Sequence, residues 1–258
     1  MKLTFLGTRG AHVEPGNGHN RHSALLLEHD DGKLLVDCGS DWPGLLAELQ
    51  PDALVLTHAH DDHAGGLGHQ PPCPVWATAM TWQLLDRLDL GTDAERHTLS
   101  PRQTCQVGPF QLEAWPVVHS FRAPTVALRI TAGNKRIFYA PDLVALPDPE
   151  AALNNVDLFI GDGAAFDTSM QRVEEGQLCG HAPLPLQLSW CMRADVPRML
   201  ITHCGKTLVS QQAHTALKPL AEHAEELGIE LDVVHDGEHL DLTKALAPFT
   251  LETDASSR

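Results

Sequence analysis

Basic side chains are scarce in this chain: 18 lysines and arginines stand against 34 aspartates and glutamates, a formal charge of −16. Such a surface repels a phosphate backbone, and no local basic patch in the sequence offsets it. A long nucleic acid is therefore not expected as a partner, and a small-molecule substrate is. Paired cysteines are missing too. Cys38, Cys73, Cys105, Cys179, Cys191 and Cys204 lie scattered, with no Cys-x-x-Cys unit and no short secreted frame for disulfides to staple. They read as reduced, mostly buried thiols. The apolar run within residues 1–7 is too short for a signal peptide, and nothing approaches membrane-spanning length. The expected setting is the cytoplasm, away from membranes. No repeat or low-complexity linker divides the 258 residues, so a single domain over 1–258 is expected, ending in a polar tail at 252–258.

Histidine is plentiful, at sixteen residues, but its placement matters more than its number. The run Leu54-Val55-Leu56-Thr57 reads as a buried strand, and it leads into His58-Ala59-His60-Asp61-Asp62-His63-Ala64-Gly65-Gly66. Two apart in an extended chain, His58 and His60 face the same side. Asp62 and His63 follow where the chain turns into a helix and can swing back to the same point. Four ligand-type side chains within six residues exceed what one tetrahedral zinc with further distant ligands would use, so two metals fit better. The plainer reading is a polar loop in which Asp61 or Asp62 caps a helix.

Strand signals fall at 2–6, 23–28, 33–37, 53–57, 75–77, 110–118, 125–130, 136–139, 156–160, 198–202 and 231–234, with a last short strand after the turn at 235–237. Helix signals fall at 43–49, 78–88, 185–192 and 209–227. Strands in two groups, each followed by helices, suit two sheets packed face to face with helices outside. Further ligand types recur at strand tips: His119, Asp142 and His203 each end an apolar run. Each also has a plain reading, as a hydrogen-bonded strand-end histidine or a turn aspartate.

The string His-x-His-x-Asp-His resembles the signature of the metallo-β-lactamase superfamily, and the likeness extends over residues 3–242. It implies an α/β fold, the four-layer αββα sandwich, with the metal site at one edge between the sheets. By the same resemblance His58, His60 and His119 would hold a first divalent ion, Asp62, His63 and His203 a second, and Asp142 would bridge both. Val36-Asp37-Cys38-Gly39 matches the family's strand-end Val-Asp-x-Gly, which implies that Asp37 orients a ligating imidazole from behind. Cys204, beside His203, reads as packing. The Asp62-His63 pair resembles ribonuclease Z, cyclic phosphodiesterases, glyoxalase II and lactonases. Flavin-coupled di-iron members carry a glutamate where this chain has Asp61, which favours hydrolysis over redox chemistry.

Gly161-Asp162-Gly163-Ala164-Ala165-Phe166, then Gly180-His181-Ala182-Pro183, then Leu200-Ile201-Thr202-His203, looks like the branch of ribonuclease Z and the phosphonate-pathway cyclic phosphodiesterases. That likeness makes Asp62 and His181 the expected catalytic residues, with His181 at the scissile phosphate assisting proton transfer. Pro183 and Pro185 depart from the branch's smoother helix start. Arg21, His22 and His235 are weaker candidates for substrate contact. The implied activity is hydrolysis of a small or cyclic phosphodiester by a metal-bridging hydroxide, with zinc or manganese, or iron, as the ions. Alternatives are a carboxylic ester, lactone or thioester hydrolase, a protein similar to the pyrroloquinoline-quinone biosynthesis B family, or a metal-binding module without turnover. A homodimer is possible, since relatives often pair. Ribonuclease Z itself is disfavoured, because no basic, glycine-rich arm is present.

Overall fold

In the computed structural model, which describes residues 1–42, 44–68, 70–90, 93–166 and 170–243, the apolar runs become two seven-stranded sheets. The chain first lays down β1 (Lys2–Gly7), β2 (Ala24–His29), β3 (Gly32–Val36), α1 (Leu45–Leu49), β4 (Ala53–Val55), α2 (Asp61–Ala64), β5 (Val75–Thr78), α3 (Ala79–Arg87) and β6 (Arg96–Leu99). It continues with β7 (Thr104–Val107), β8 (Phe110–Val117), β9 (Thr125–Ala132), β10 (Lys135–Tyr139), α4 (Pro149–Ala152) and β11 (Leu158–Asp162). A small ribbon, β12 (Arg172–Glu174) and β13 (Gln177–Cys179), then precedes α5 (Leu184–Arg193), β14 (Arg198–Thr202), α6 (Lys206–Val209), α7 (Ala213–Glu226), β15 (Glu230–Val233) and β16 (Glu238–Asp241). The first sheet runs β16-β1-β2-β3-β4-β5-β6 and the second β15-β14-β11-β10-β9-β8-β7.

Period-two alternation sorts the strand side chains into layers. In β3, Leu34 and Val36 enter a core between the sheets while Leu35 faces outward; in β10 and β11, Ile137, Tyr139, Leu158 and Ile160 face inward and Phe138 and Phe159 outward. The outward residues of the first sheet pack on Trp42, Leu46, Trp82 and Leu85. Those of the second pack on Leu184, Leu188 and Leu220. Helix, sheet, sheet and helix thus stack as four layers, the αββα arrangement expected. Strands buried on both faces explain why their sequences read as unbroken apolar runs rather than as alternations.

Parallel pairing decides where functional groups gather. β3 to β6 pair in parallel, as do β10, β11, β14 and β15. Parallel neighbours end on a common edge, so the loops after β3, β4, β10, β11 and β14 open on one rim.

The long helix expected at 209–227 starts later, as α7 at Ala213, and Val209 instead ends the separate α6. Ser210 is extended (φ −77°, ψ 158°), donates its hydroxyl to the Thr207 carbonyl at 2.8 Å, and accepts from the Gln212 amide at 3.2 Å. A short polar side chain that bonds its own backbone competes with the helix ladder, and here it wins. The helix expected from 43 begins at Leu45, residue 43 lying outside the described residues, as does the tail at 252–258. The strands β6 and β7, helix α4 and the β12–β13 ribbon had no counterpart in the sequence reading. No helix among the described residues is long and apolar enough to cross a membrane.

Candidate metal centre

His58 follows β4, and His60 sits at the start of α2 with extended backbone (φ −68°, ψ 150°). One turn of helix then carries Asp62 and His63 back under them, closed by amide bonds from His63 and Ala64 to the His60 carbonyl. The turn is pressed against residues 37–39: a Cβ on Gly66 would lie 2.3 Å from the Gly39 carbonyl oxygen, so only glycine permits the approach. His119 follows β8, Asp142 follows β10 and His203 follows β14.

These seven side chains form two sets that share one carboxylate. Ligand atoms of His58, His60, His119 and Asp142 all lie within 4.8 Å of one another, as do those of Asp62, His63, His203 and Asp142. Asp142 Oδ2 is 3.3 Å from His58 Nε2 and 3.0 Å from His63 Nε2, while its Oδ1 is 3.3 Å from His203 Nδ1. Asp62 Oδ2 meets His203 Nε2 at 3.0 Å. All are buried except His60, which is partly exposed.

The outer nitrogens of the rings are fixed from behind. Asp37, fully buried, accepts from His63 Nδ1 at 2.8 Å, from the Thr57 amide at 2.8 Å and from the Thr57 hydroxyl at 2.9 Å. The Thr57 oxygen in turn accepts from His58 Nδ1 at 3.0 Å. His119 Nδ1 donates to the Gly180 carbonyl at 3.0 Å. In each of these three rings the hydrogen-bonded Nδ1 leaves Nε2 for the centre. Asp37 (φ 60°) and His203 (φ 50°) hold left-handed backbone, a strained conformation for non-glycine residues that concentrates at functional turns.

Charge divides the two sets. Burial lowers the pKa of His58 to about 3 and that of His60 to about 4, and also lowers that of His119, so these rings are neutral. Burial works against the protonated form of His63 and His203 as well. There, however, Asp62 and Asp37 raise His63, and Asp142 and Asp162 raise His203 to about 9. The desolvation cost to Asp62 and Asp142 is outweighed by the surrounding histidines, which hold both below the usual carboxylate range.

His181 stands beside both sets, its ring 5.1 Å from that of His119 and 5.7 Å from that of His203. Its Nδ1 donates to Asp162 Oδ2 at 2.7 Å. Asp162 is the residue that sequence reasoning passed over, as part of a Gly-Asp-Gly turn. It is fully buried and also accepts the amides of Leu143 and Ala164, while Gln187 clamps its backbone through bonds to its amide and carbonyl. The signal that could have found it is the one Asp37 and Asp142 share, an aspartate at the tip of a buried strand. Pro183 is the N-cap of α5 and Pro185 falls within the first turn of that helix, and neither keeps His181 from the centre.

Two weaker candidates fall away from the centre. The Arg21 guanidinium lies over the Trp42 ring at 4.6 Å, and His235 stacks on His19 at 4.6 Å. Cys204 is buried in the outer core, its thiol pushed well up by burial. A cavity of about 540 Å³ opens over the rim, lined by His60, Asp61, Asp62, His119, Asp142, His181 and His203, with His22, Arg122, Arg172 and Glu174 among its walls.

The sequence matches the family model described as beta-lactamase superfamily domain over residues 33–204. It is 28% identical over 177 residues to the anti-Pycsar protein Apyc1 of Saccharibacillus brassicae, covering 57% of this chain and 69% of that protein. It is 26% identical over 160 residues to the probable metallo-hydrolase YhfI of Bacillus subtilis, covering 55% of this chain and 64% of that one. The crystal structure of YhfI superposes with a TM-score of 0.72 at 22% identity, covering 93% of this chain and 98% of that chain. A structure described as a new diphosphatase from the PhnP family gives 0.67 at 18% identity, covering 93% and 97%. At such identities the structural likenesses establish the fold alone.

Proposed function

The chain belongs to the β-lactamase superfamily and has the metallo-β-lactamase fold, and from that premise we propose that it is a binuclear metal-dependent hydrolase of a small or cyclic phosphodiester. The observation that carries this reading is the sharing of Asp142 by two complete ligand sets. His58, His60 and His119 would hold one divalent cation, Asp62, His63 and His203 the other, with Asp142 between them. Zinc or manganese suits this donor set, and iron is compatible with it.

The residues fit such ions. His58 Nε2 and His119 Nε2 approach His60 Nδ1 to 2.9 and 3.4 Å. Three neutral ring nitrogens so close can share few protons, whereas nitrogens around a tetrahedral zinc with bonds of 2.0–2.1 Å stand about 3.3 Å apart. His63 Nε2 and Asp142 Oδ1 are buried without any hydrogen-bond partner. Each such orphan costs about 1–3 kcal/mol unless something pairs with it.

Two bound divalent ions would lower the pKa of water at the site and neutralise charge on phosphoryl oxygens. The chain's own groups do the rest. Asp37 and Thr57 hold the imidazoles in the tautomer that directs Nε2 inward. Asp162 fixes His181 through Nδ1, leaving its other ring nitrogen to pass a proton to the leaving-group oxygen. Burial disfavours the His181 proton, but Asp162 and Asp142 overcome this and raise its affinity for it. The 540 Å³ cavity has the size of a small-molecule site. The likeness of residues 161–166, 180–183 and 200–203 to the ribonuclease Z and cyclic phosphodiesterase branch supports phosphorus as the atom attacked.

Elemental analysis of zinc- or manganese-loaded protein should find close to two ions per chain, and one ion would sink the binuclear reading. Loaded protein should cleave bis-(p-nitrophenyl) phosphate or a cyclic nucleotide in preference to a lactone or thioester. Cleavage of the thioester alone would defeat the phosphodiesterase.

A further inference from the structure

The wall of the cavity opposite the ligand rim is built by the ribbon β12–β13, whose strands pair Arg172 with Cys179, Val173 with Leu178 and Glu174 with Gln177. Its base is bound into the centre, since the Gly180 amide donates to the His119 carbonyl at 3.0 Å and the Gly180 carbonyl accepts from the His119 ring. Gly180 holds φ +108°, and a Cβ there would lie 2.0 Å from the Met170 carbonyl oxygen, so glycine closes the ribbon. Alternation along β12 sends Arg172 and Glu174 to the cavity, while Val173 turns away and is 70% exposed.

Arg122, on the connection between β8 and β9, lines the same cavity. It converges with Arg172 on one carboxylate: Arg122 Nη2 is 3.8 Å from Glu174 Oε2, and Arg172 Nε contacts Glu174 Oε1. Among the described residues that line this cavity, these two supply all of the lysine and arginine. In a chain with nearly twice as many acidic as basic residues, two guanidinium groups from separate elements meeting at the mouth of the site is not what composition alone would place there. A planar guanidinium fork matches the oxygens of phosphate, and exposed ion pairs such as those to Glu174 hold only weakly. A ligand oxyanion can displace that carboxylate at little cost.

We propose that Arg122 and Arg172 form an anion subsite at the cavity mouth, occupied by Glu174 in the absence of ligand, which selects substrates carrying a second phosphate beside the scissile phosphodiester. The scissile half of this statement rests on the function proposed above, and the subsite can be read by binding alone. Calorimetric titration of zinc-loaded protein with adenosine 3′-monophosphate and with adenosine 3′,5′-bisphosphate compares ligands that differ by one phosphate. The bisphosphate should bind about tenfold more tightly, the scale of one charge-assisted contact. R122Q and R172Q should each reduce that ratio to below about threefold, and E174Q, which removes the competing carboxylate, should widen it. Equal affinity in the wild type, a ratio that survives both arginine substitutions, or no widening in E174Q would each overturn the subsite. Should a glutamine variant fold poorly, salt supplies a second readout on the wild type, because an exposed subsite must lose its preference as ionic strength rises. Failure to cleave bis-(p-nitrophenyl) phosphate would count against the phosphodiesterase, and leave the binding ratio to be judged separately.

Discussion

Two aspartates at the same rim, Asp142 and Asp236, show how differently this fold treats a carboxylate. Asp236, in the turn after β15, accepts from the Thr8 amide and hydroxyl and from the amides of Asn20 and Arg21 at 2.7–3.0 Å. Every one of those donors comes from the loops it ties down. Asp142 faces side-chain nitrogens of His58, His63, His119, His181 and His203 within 3.0–3.7 Å, and its Oδ1 makes no hydrogen bond. A carboxylate that is complete within the chain is a fastener; one ringed by imidazoles and left partly unpaired suits the cations proposed above. The histidines differ in their neighbours: His19, packed on His235, bonds Thr8 through Nδ1 and leaves Nε2 buried and unpaired, while His58 and His60 crowd each other.

The sharpest way to break this contrast is to remove both aspartates in turn. D142A should lose both ions by elemental analysis and at least about a thousandfold in hydrolysis, about 4 kcal/mol of barrier; retained occupancy would make Asp142 another fastener. H181A should keep its metal while turnover falls about a hundredfold, the usual scale of a lost general acid. Wild-type rates would return His181 to a structural role. D236A should keep metal and lose about 2 kcal/mol of folding stability in urea titrations, for the charge-assisted bonds it forfeits. Loss of metal there would erase the distinction.

The smallest effect concerns pH. Burial first, and His235 second, push the His19 pKa down to about 3 from an ordinary 6.5. Above pH 6.5 the ring is neutral whether folded or unfolded, and stability is unaffected. Between 6.5 and about 3 the unfolded chain takes up a proton that the folded chain refuses, so stability falls as pH falls, by at most about 1.4 kcal/mol per unit. The urea midpoint of H19Q should drop less than that of the wild type between neutral and mildly acidic pH; parallel curves would show that His19 is not held neutral.

What the sequence made legible follows from this division. Each residue of the two candidate sets ends or closely follows an apolar strand, so local pattern marked them as candidates and the family resemblance sorted them into two sets; the order of the sheets brings the strand tips together. Asp162 and Gln187 escaped because their role is to hold other groups, which no spacing announces. The edge strands β6 and β7 escaped because Arg96-His97-Thr98 and Thr104-Cys105-Gln106 carry little apolar character of their own and are strands by virtue of pairing with β5 and β8. For the same reason the β12–β13 ribbon was invisible, its exposed residues alternating around a two-stranded pairing. His235 was left open because ligand and structural histidines look alike in one dimension.

The splice at Gly180 makes the ribbon a replaceable cassette. Chain grafted between Met170 and Gly180 would inherit an anchored exit on His119, above the histidine and aspartate sets. Designers could therefore exchange this wall of the cavity while conserving the rim beneath it.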